Sequence, residues 1–162
     1  MFDRALIRWT GSALLALTLA ACASAPAPAP LTETLARAPQ LSTFNRLVAE
    51  AGLSEELRAA GPLTVFAPSD EAFEAVPAKT MEALLADKAQ LKAVLSYHIV
   101  AGKLPAAEVR NSNQKTLQGA SLALARAGDF VTVEEAMVQQ ADISATNGVA
   151  HVVDRVLMPP KK

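Results

Sequence analysis

Two histidines, one cysteine and a serine followed by two carboxylates are the side chains of this 162-residue chain best equipped for chemistry. A nucleophilic site would join Ser69 to His98 or His151 as its base, with Asp70 orienting the imidazole. The local wording opposes that reading. No glycine-rich elbow surrounds Ser69, which stands directly before Asp70-Glu71, the pattern of a helix N-cap whose first turn carries negative charge. His98 follows Leu91, Val94 and Leu95 at helical spacing, which places it on a buried face. His151 alternates with Val149 and Val153 on one face of an extended run, where a neutral imidazole can bridge polar groups of two segments. A metal centre is no better supported: the histidines lie 53 residues apart, and neither has a second ligand at helical or hairpin spacing. Asp142 to Gly148 lacks the alternating carboxylates of a calcium loop, and no Walker or dinucleotide glycine pattern occurs. The expectation is a non-catalytic chain without a cofactor.

Cys22 has a different chemistry. Arg4 and Arg8 precede an apolar run from Ala13 to Ala21 that is too short to span a bilayer and matches a secretory signal. The run ends Leu19-Ala20-Ala21-Cys22, which resembles a bacterial lipobox, with Cys22 as the lipidated first residue of the mature chain; the other reading is ordinary cleavage, with Cys22 incidental. Ala23 to Pro30 reads ASAPAPAP, a polyproline II spacer that would hold a domain roughly 25 Å off a membrane. Residues 1–21 are thus expected to be a signal peptide, 22–30 the lipidation site and spacer, 31–160 one domain and 161–162 a tail. Ala23 after the cysteine fits sorting to the outer membrane of a two-membrane envelope, facing the periplasm or the surface. Fifteen basic against sixteen acidic residues leave no basic stripe for a phosphate backbone, so nucleic acid is not an expected partner.

The elements that position these residues are legible in outline. Thr32, Ser42 and Ser54 each stand where a helix can begin, and Phe44, Leu47, Val48 and Ala51 recur at helical spacing before Gly52. A β-run from Leu63 to Ala67 then meets Pro68, which ends the strand, and Ser69, which opens the next helix. Val65 and Phe66 suit a half-buried pleated surface. Pro77 interrupts the helices. Asp87 with Gln90 forms a capping-box variant for the helix that carries His98. Beyond Gly102 the chain reads as β-rich: Leu122 and Leu124 alternate with small residues, Gly128-Asp129 turns into Phe130–Val133, and Ala136 to Ile143 is a weaker strand. Asn147-Gly148 supplies a two-residue turn with positive φ at its glycine before Val149 to Leu157. Glu134-Glu135 reads as a solvated turn.

Three stretches carry a resemblance. TVFAPSDEAF, with Thr64, Phe66, Ala67, Pro68, Ser69, Asp70 and Phe73, resembles the first signature of the fasciclin domain. YHIV, with Tyr97 and His98, resembles the family's tyrosine-histidine motif. NGVAHVVDRVLMP, with Asn147, Gly148 and His151, resembles its second signature. Ala150 departs from the larger aliphatic residue usual there, and no Arg-Gly-Asp tripeptide supports the integrin binding attributed to animal members. The resemblance implies an α+β fold in which N-terminal helices pack against a mostly antiparallel β-wedge, in line with the order of elements read above. It also implies an adhesion or recognition module, monomeric and tethered at the cell envelope, that binds protein or glycan partners. An envelope-polymer hydrolase or a carrier of small apolar ligands are the alternatives. The polar segment from Val109 to Lys115, with Arg110, Asn111 and Asn113, and the turn around Glu134 and Glu135 are the candidate partner-binding surfaces.

Overall fold

A computed structural model describes residues 27–160 of the chain. Helices come first: α1 (Leu31–Ala36), α2 (Ser42–Glu50) and α3 (Ser54–Ala59) precede β1 (Leu63–Pro68). After β1 come α4 (Asp70–Glu74), α5 (Ala78–Ala86) and α6 (Lys88–Tyr97). The remaining strands are β2 (Ile99–Ala101), β3 (Ser112–Lys115), β4 (Ser121–Ala127), β5 (Phe130–Val133), β6 (Ala136–Ala145) and β7 (Gly148–Val153). They form a seven-stranded sheet in the order β2-β1-β7-β6-β5-β4-β3, antiparallel except for the parallel central pair β1/β7. The two end strands of that order approach each other: Val100 of β2 bridges to Thr116, and Leu117 N–H donates to the Ile99 carbonyl at 2.9 Å. The fold is the expected α+β arrangement of helices against a mostly antiparallel wedge.

Alternation along the central strands divides the interior in two. Leu63, Val65 and Ala67 of β1, with Ala150 and Val152 of β7, join Leu31, Leu35, Phe44, Leu47 and Leu95 in a core between helices and sheet. Phe66 and Val153, on the opposite face, join Tyr97, Leu122, Leu124, Val131, Val133 and Leu157 in a second core, enclosed by the curl of the sheet. All six residues of β1 and of β7 are buried, so β1 is not the half-buried strand its residue types predict. Layers on both faces explain this, as they do for parallel pairs in general. Ala150 is fully enclosed in the first core.

Several local expectations are corrected. Thr32 lies inside α1, where its buried hydroxyl has no hydrogen-bond partner, and the residue preceding the helix is Pro30. Ser42 and Ser54 are the first residues of their helices rather than caps. The β6–β7 hairpin loop is Thr146-Asn147, one residue earlier than Asn147-Gly148, because Ala145 pairs with Gly148. Gly148 is not among the positive-φ residues. Its need is for space: a Cβ there would overlap the Leu63 carbonyl of the neighbouring strand. Gly128, by contrast, has φ 63° and begins the two-residue loop between β4 and β5. The packed body also begins before Leu31. Ala29 is buried and its carbonyl accepts from Thr146 N–H at 2.9 Å, while the Ala27 carbonyl accepts from Arg37 Nη1 at 3.0 Å.

Candidate functional site

Ser69 lies where β1 gives way to α4. Pro68 closes the strand, and Ser69 has extended backbone angles with its Oγ accepting from Ala72 N–H at 3.3 Å. That bond is an N-cap. Asp70, which its neighbours mark as a charge for its own helix, is engaged elsewhere. Its Oδ1 accepts from Thr43 N–H at 2.8 Å and its Oδ2 from the Ser42 hydroxyl at 2.7 Å. Asp70 therefore caps α2, whose own flanking residue, Leu41, has no side chain for the task. Partial burial by itself raises the Asp70 pKa, but the bonds from Thr43 and Ser42 outweigh it and hold the carboxyl below its ordinary value. Phe73 of α4 reaches into the first core.

The two histidines sit in separate bonding arrangements. His98 is fully buried, with Nδ1 2.8 Å from the Val94 carbonyl and Nε2 accepting from Leu157 N–H at 3.0 Å. A carbonyl accepts and an amide donates, so the ring must be neutral with its proton on Nδ1. Burial pushes its pKa down to about 4, opposed by the bond that the ring donates to the Val94 carbonyl. His151 stacks on Phe66 with ring centroids 5.4 Å apart. Its Nε2 is 2.9 Å from the Leu104 carbonyl and its Nδ1 accepts from Asp142 N–H at 3.2 Å, which fixes the opposite tautomer. Burial lowers the His151 pKa, opposed by the Leu104 bond and the nearby Asp142 charge. One imidazole ties the C-terminal segment to α6, and the other ties the chain after β2 to the bulged strand β6.

Thr64 and Asn147 perform the same kind of joining. The Thr64 hydroxyl donates to the Gly102 carbonyl at 2.7 Å and accepts from Leu104 N–H at 2.9 Å. Asn147 Oδ1 accepts from Leu31 N–H at 2.8 Å, at the start of α1. Its Nδ2 lies 2.6 Å from the Leu57 carbonyl, 3.2 Å from that of Arg58 and 3.0 Å from that of Ala60, at the end of α3. One amide thus satisfies orphan groups at opposite ends of two helices.

The candidate partner-binding residues divide. Arg110 is exposed. Asn111 is not idle, since its Oδ1 accepts from Arg126 N–H at 2.9 Å. Asn113 is exposed but belongs to strand β3, opposite Ala123, so the stretch expected to be a free loop is half strand. Glu134-Glu135 is also more than a solvated turn. Glu134 adopts φ 55°, and its Oε1 accepts from Ala123 N–H at 2.8 Å and lies 3.3 Å from the Tyr97 hydroxyl. Tyr97, nearly enclosed, also has its hydroxyl 3.2 Å from the Ser121 carbonyl, so its single proton is shared between that carbonyl and Glu134 Oε1. Burial, then the Glu134 charge, pushes its pKa up to about 12. Beside this pair lies a cleft of about 420 Å3, bounded on one side by Arg155 to Met158. Sequence reasoning marked the Glu134-Glu135 turn as a binding candidate but missed the cleft, because Arg155 to Leu157 read as the continuation of a strand that in fact ends at Val153. The available clue was a polar pair between two strand-forming runs.

Among the described residues, no group of three or more His, Cys, Asp or Glu side chains is placed to hold a metal ion, and no helix is long and apolar enough to cross a membrane. Cys22, the signal and the first half of the spacer lie outside the described residues.

Helices against a curled sheet, with three sequence motifs spent on joining its segments, define a class of rigid domain in which the motifs specify architecture. The fasciclin-domain family model matches residues 39–159, and the chain belongs to that family. It is 42% identical over 132 residues to Protein sll1483 of Synechocystis sp., covering 80% of this chain and 73% of that protein. It is 42% identical over 125 residues to the transforming growth factor-beta-induced protein ig-h3 of Sus scrofa, covering 72% of this chain but 18% of that much longer protein. Human periostin is 36% identical over 132 residues, with 80% of this chain and 16% of periostin covered. In fold it is similar to a FAS1 domain pair from the insect cell adhesion molecule fasciclin I, with a TM-score of 0.62 at 23% identity, over 76% of this chain and 46% of that one. Fasciclin domains occur in cell adhesion proteins, as that molecule illustrates.

Proposed function

We propose that this domain is a non-catalytic recognition module, held at the cell envelope by a lipid on Cys22, that binds protein or glycan partners. One observation carries the reading: the polar atoms that would do chemistry are occupied in holding backbone together. Ser69 Oγ accepts the Ala72 amide, both nitrogens of His98 and of His151 face backbone partners, and both Asp70 oxygens cap α2. A general base needs a free lone pair within reach of substrate, and these imidazoles have none. Binding needs only a rigid body with exposed surface, which Arg110 and Asn113 supply.

The test is capture and turnover measured on the same protein. Full chain, crosslinked in intact cells that express it, is expected to trap a protein or glycan component of the envelope, and alanine at both Arg110 and Asn113 to reduce that yield without moving the unfolding midpoint. Purified protein is expected to release no product from envelope glycans or esters. Turnover abolished by Ser69→Ala with the fold intact would overturn the reading. Intact-mass analysis of membrane-extracted protein tests the tether, and an unmodified Cys22 as the dominant species would remove it.

A further inference from the structure

We propose that the cleft beside Tyr97 is a binding site for a neutral saccharide. The proposal deepens the recognition reading and rests on it. The cleft holds about 420 Å3, within the range of about 300–1,000 Å3 usual for small-ligand pockets. Its lining is of two kinds. Tyr97, Ser121, Glu134 and Arg155 bring hydroxyl, carboxylate and guanidinium groups, while Leu157 and Met158 form an apolar wall. Met158 is 43% exposed.

Glu134 is the preorganised member. The bond to its Oε1 from the Ala123 amide and the shared proton of the Tyr97 hydroxyl hold the side chain from two directions, which leaves Oε2 as an acceptor without a partner among the described residues. Glu134 adopts φ 55° in the two-residue loop between β5 and β6, the positive φ that such a tight hairpin requires. Arg155 lies on the same cleft, exposed, and takes part in none of the ion pairs among the described residues. A free carboxylate oxygen and a free guanidinium offer an acceptor and several donors in one concavity, which matches neighbouring ring hydroxyls that both donate and accept. The apolar wall suits the C–H face of a pyranose.

Charge selects among ligands. Among the described residues of the lining, Glu134 and Glu135 against Arg155 leave a net negative charge, which disfavours phosphates and acidic glycans. Arg155 opposes a bare cation. A peptide strand would need an open row of backbone groups, whereas the Ser121 carbonyl and Ala123 amide here are already bonded.

The test uses the full chain with cellotriose, maltotriose and chitotriose as neutral probes and trigalacturonate as the acidic comparator, read by calorimetric titration and by saturation-transfer NMR. At least one neutral trisaccharide is expected to bind, with trigalacturonate weaker. Arg155→Ala and Glu134→Gln are each expected to weaken binding about tenfold, the worth of one charge-assisted hydrogen bond. Arg155→Ala is also expected to leave the unfolding midpoint unchanged, since that side chain is exposed. No neutral probe binding at millimolar concentration, preference for trigalacturonate, or binding indifferent to both substitutions would each overturn the proposal. Envelope capture that survives Arg155→Ala in a protein that binds no probe would overturn the cleft alone, whereas failure of the unsubstituted protein to capture any envelope component would overturn the recognition reading.

Discussion

Replacing Asn147 by alanine removes the single side chain that joins α1, α3 and the β6–β7 turn. Two separate losses are involved. The Leu31 amide, on a residue with no solvent exposure, loses its 2.8 Å acceptor, and an orphaned buried donor costs about 1–3 kcal/mol. The two Nδ2 protons, shared among three carbonyls at the end of α3, contribute about 1 kcal/mol each. The sum is about 3–5 kcal/mol, a large fraction of the roughly 5–15 kcal/mol that keeps a domain folded. With a urea slope near 2 kcal/mol/M, the denaturation midpoint of Asn147→Ala should fall by about 2 M, and Tm by about 10–15 °C. Asn147→Asp should be no milder, because it keeps the acceptor for Leu31 but turns a second oxygen toward carbonyls that need donors. Circular dichroism with denaturant on the full chain measures both variants, with Asn111→Ala as a reference that loses one exposed acceptor and about 1 kcal/mol. A loss below about 1 kcal/mol for Asn147→Ala, with the slope unchanged, would refute the reasoning, since water would then be replacing the amide at no net cost.

Acidification should destabilise the domain through His98. Its folded pKa of about 4 lies below the ordinary 6.5, so the unfolded chain binds the extra proton, and the stability of the neutral buried ring is present above pH 6.5 and lost as pH falls toward 4, about 3 kcal/mol in all. Because the chain has two histidines, both with lowered pKa, NMR titration checks this directly: neither ring should titrate near 6.5. Gly148→Ala should cost about 3 kcal/mol by forcing β1 and β7 apart at Leu63, in urea denaturation, whereas Gly128→Ala, strained only in φ, should cost about 1 kcal/mol. Asp70→Ala should cost about 1–2 kcal/mol as a lost helix cap, with amide exchange speeding up at Thr43 in α2 rather than in α4 alone.

What the sequence made legible is local. The Ser69 cap, the Asp87 cap with its bonds to Ala89 and Gln90, the left-handed Gly52 and the Gly128-Asp129 hairpin each follow from a few adjacent residues, and so does the order of helices before strands. The Asp70 bond to Thr43 spans 27 positions, and Asn147 reaches 116 positions back to Leu31. A bond across such a distance leaves no periodic trace and is visible only once the segments are packed. Strand β3 was hidden because Ser112–Lys115 is polar, exposed for most of its length and held by its ladder to β4 rather than by burial. The cleft at Tyr97 was hidden for a related reason: the Glu134-Glu135 turn could be named as a binding candidate from its polarity, but the other walls come from α6, β4 and the segment after β7, which only packing brings beside it.

The meeting of Val100 with Thr116, and of Leu117 with Ile99, bears on how such domains behave in a crowd. A sheet that ends in two open margins offers unpaired amides and carbonyls to any neighbour, and strands then add from one molecule to the next. Here the margins are three and four residues long and are partly spent on each other. Many copies confined to one surface would collide often, yet find little exposed backbone through which to polymerise. Contact between neighbours is left to side chains, where charge and shape select the partner.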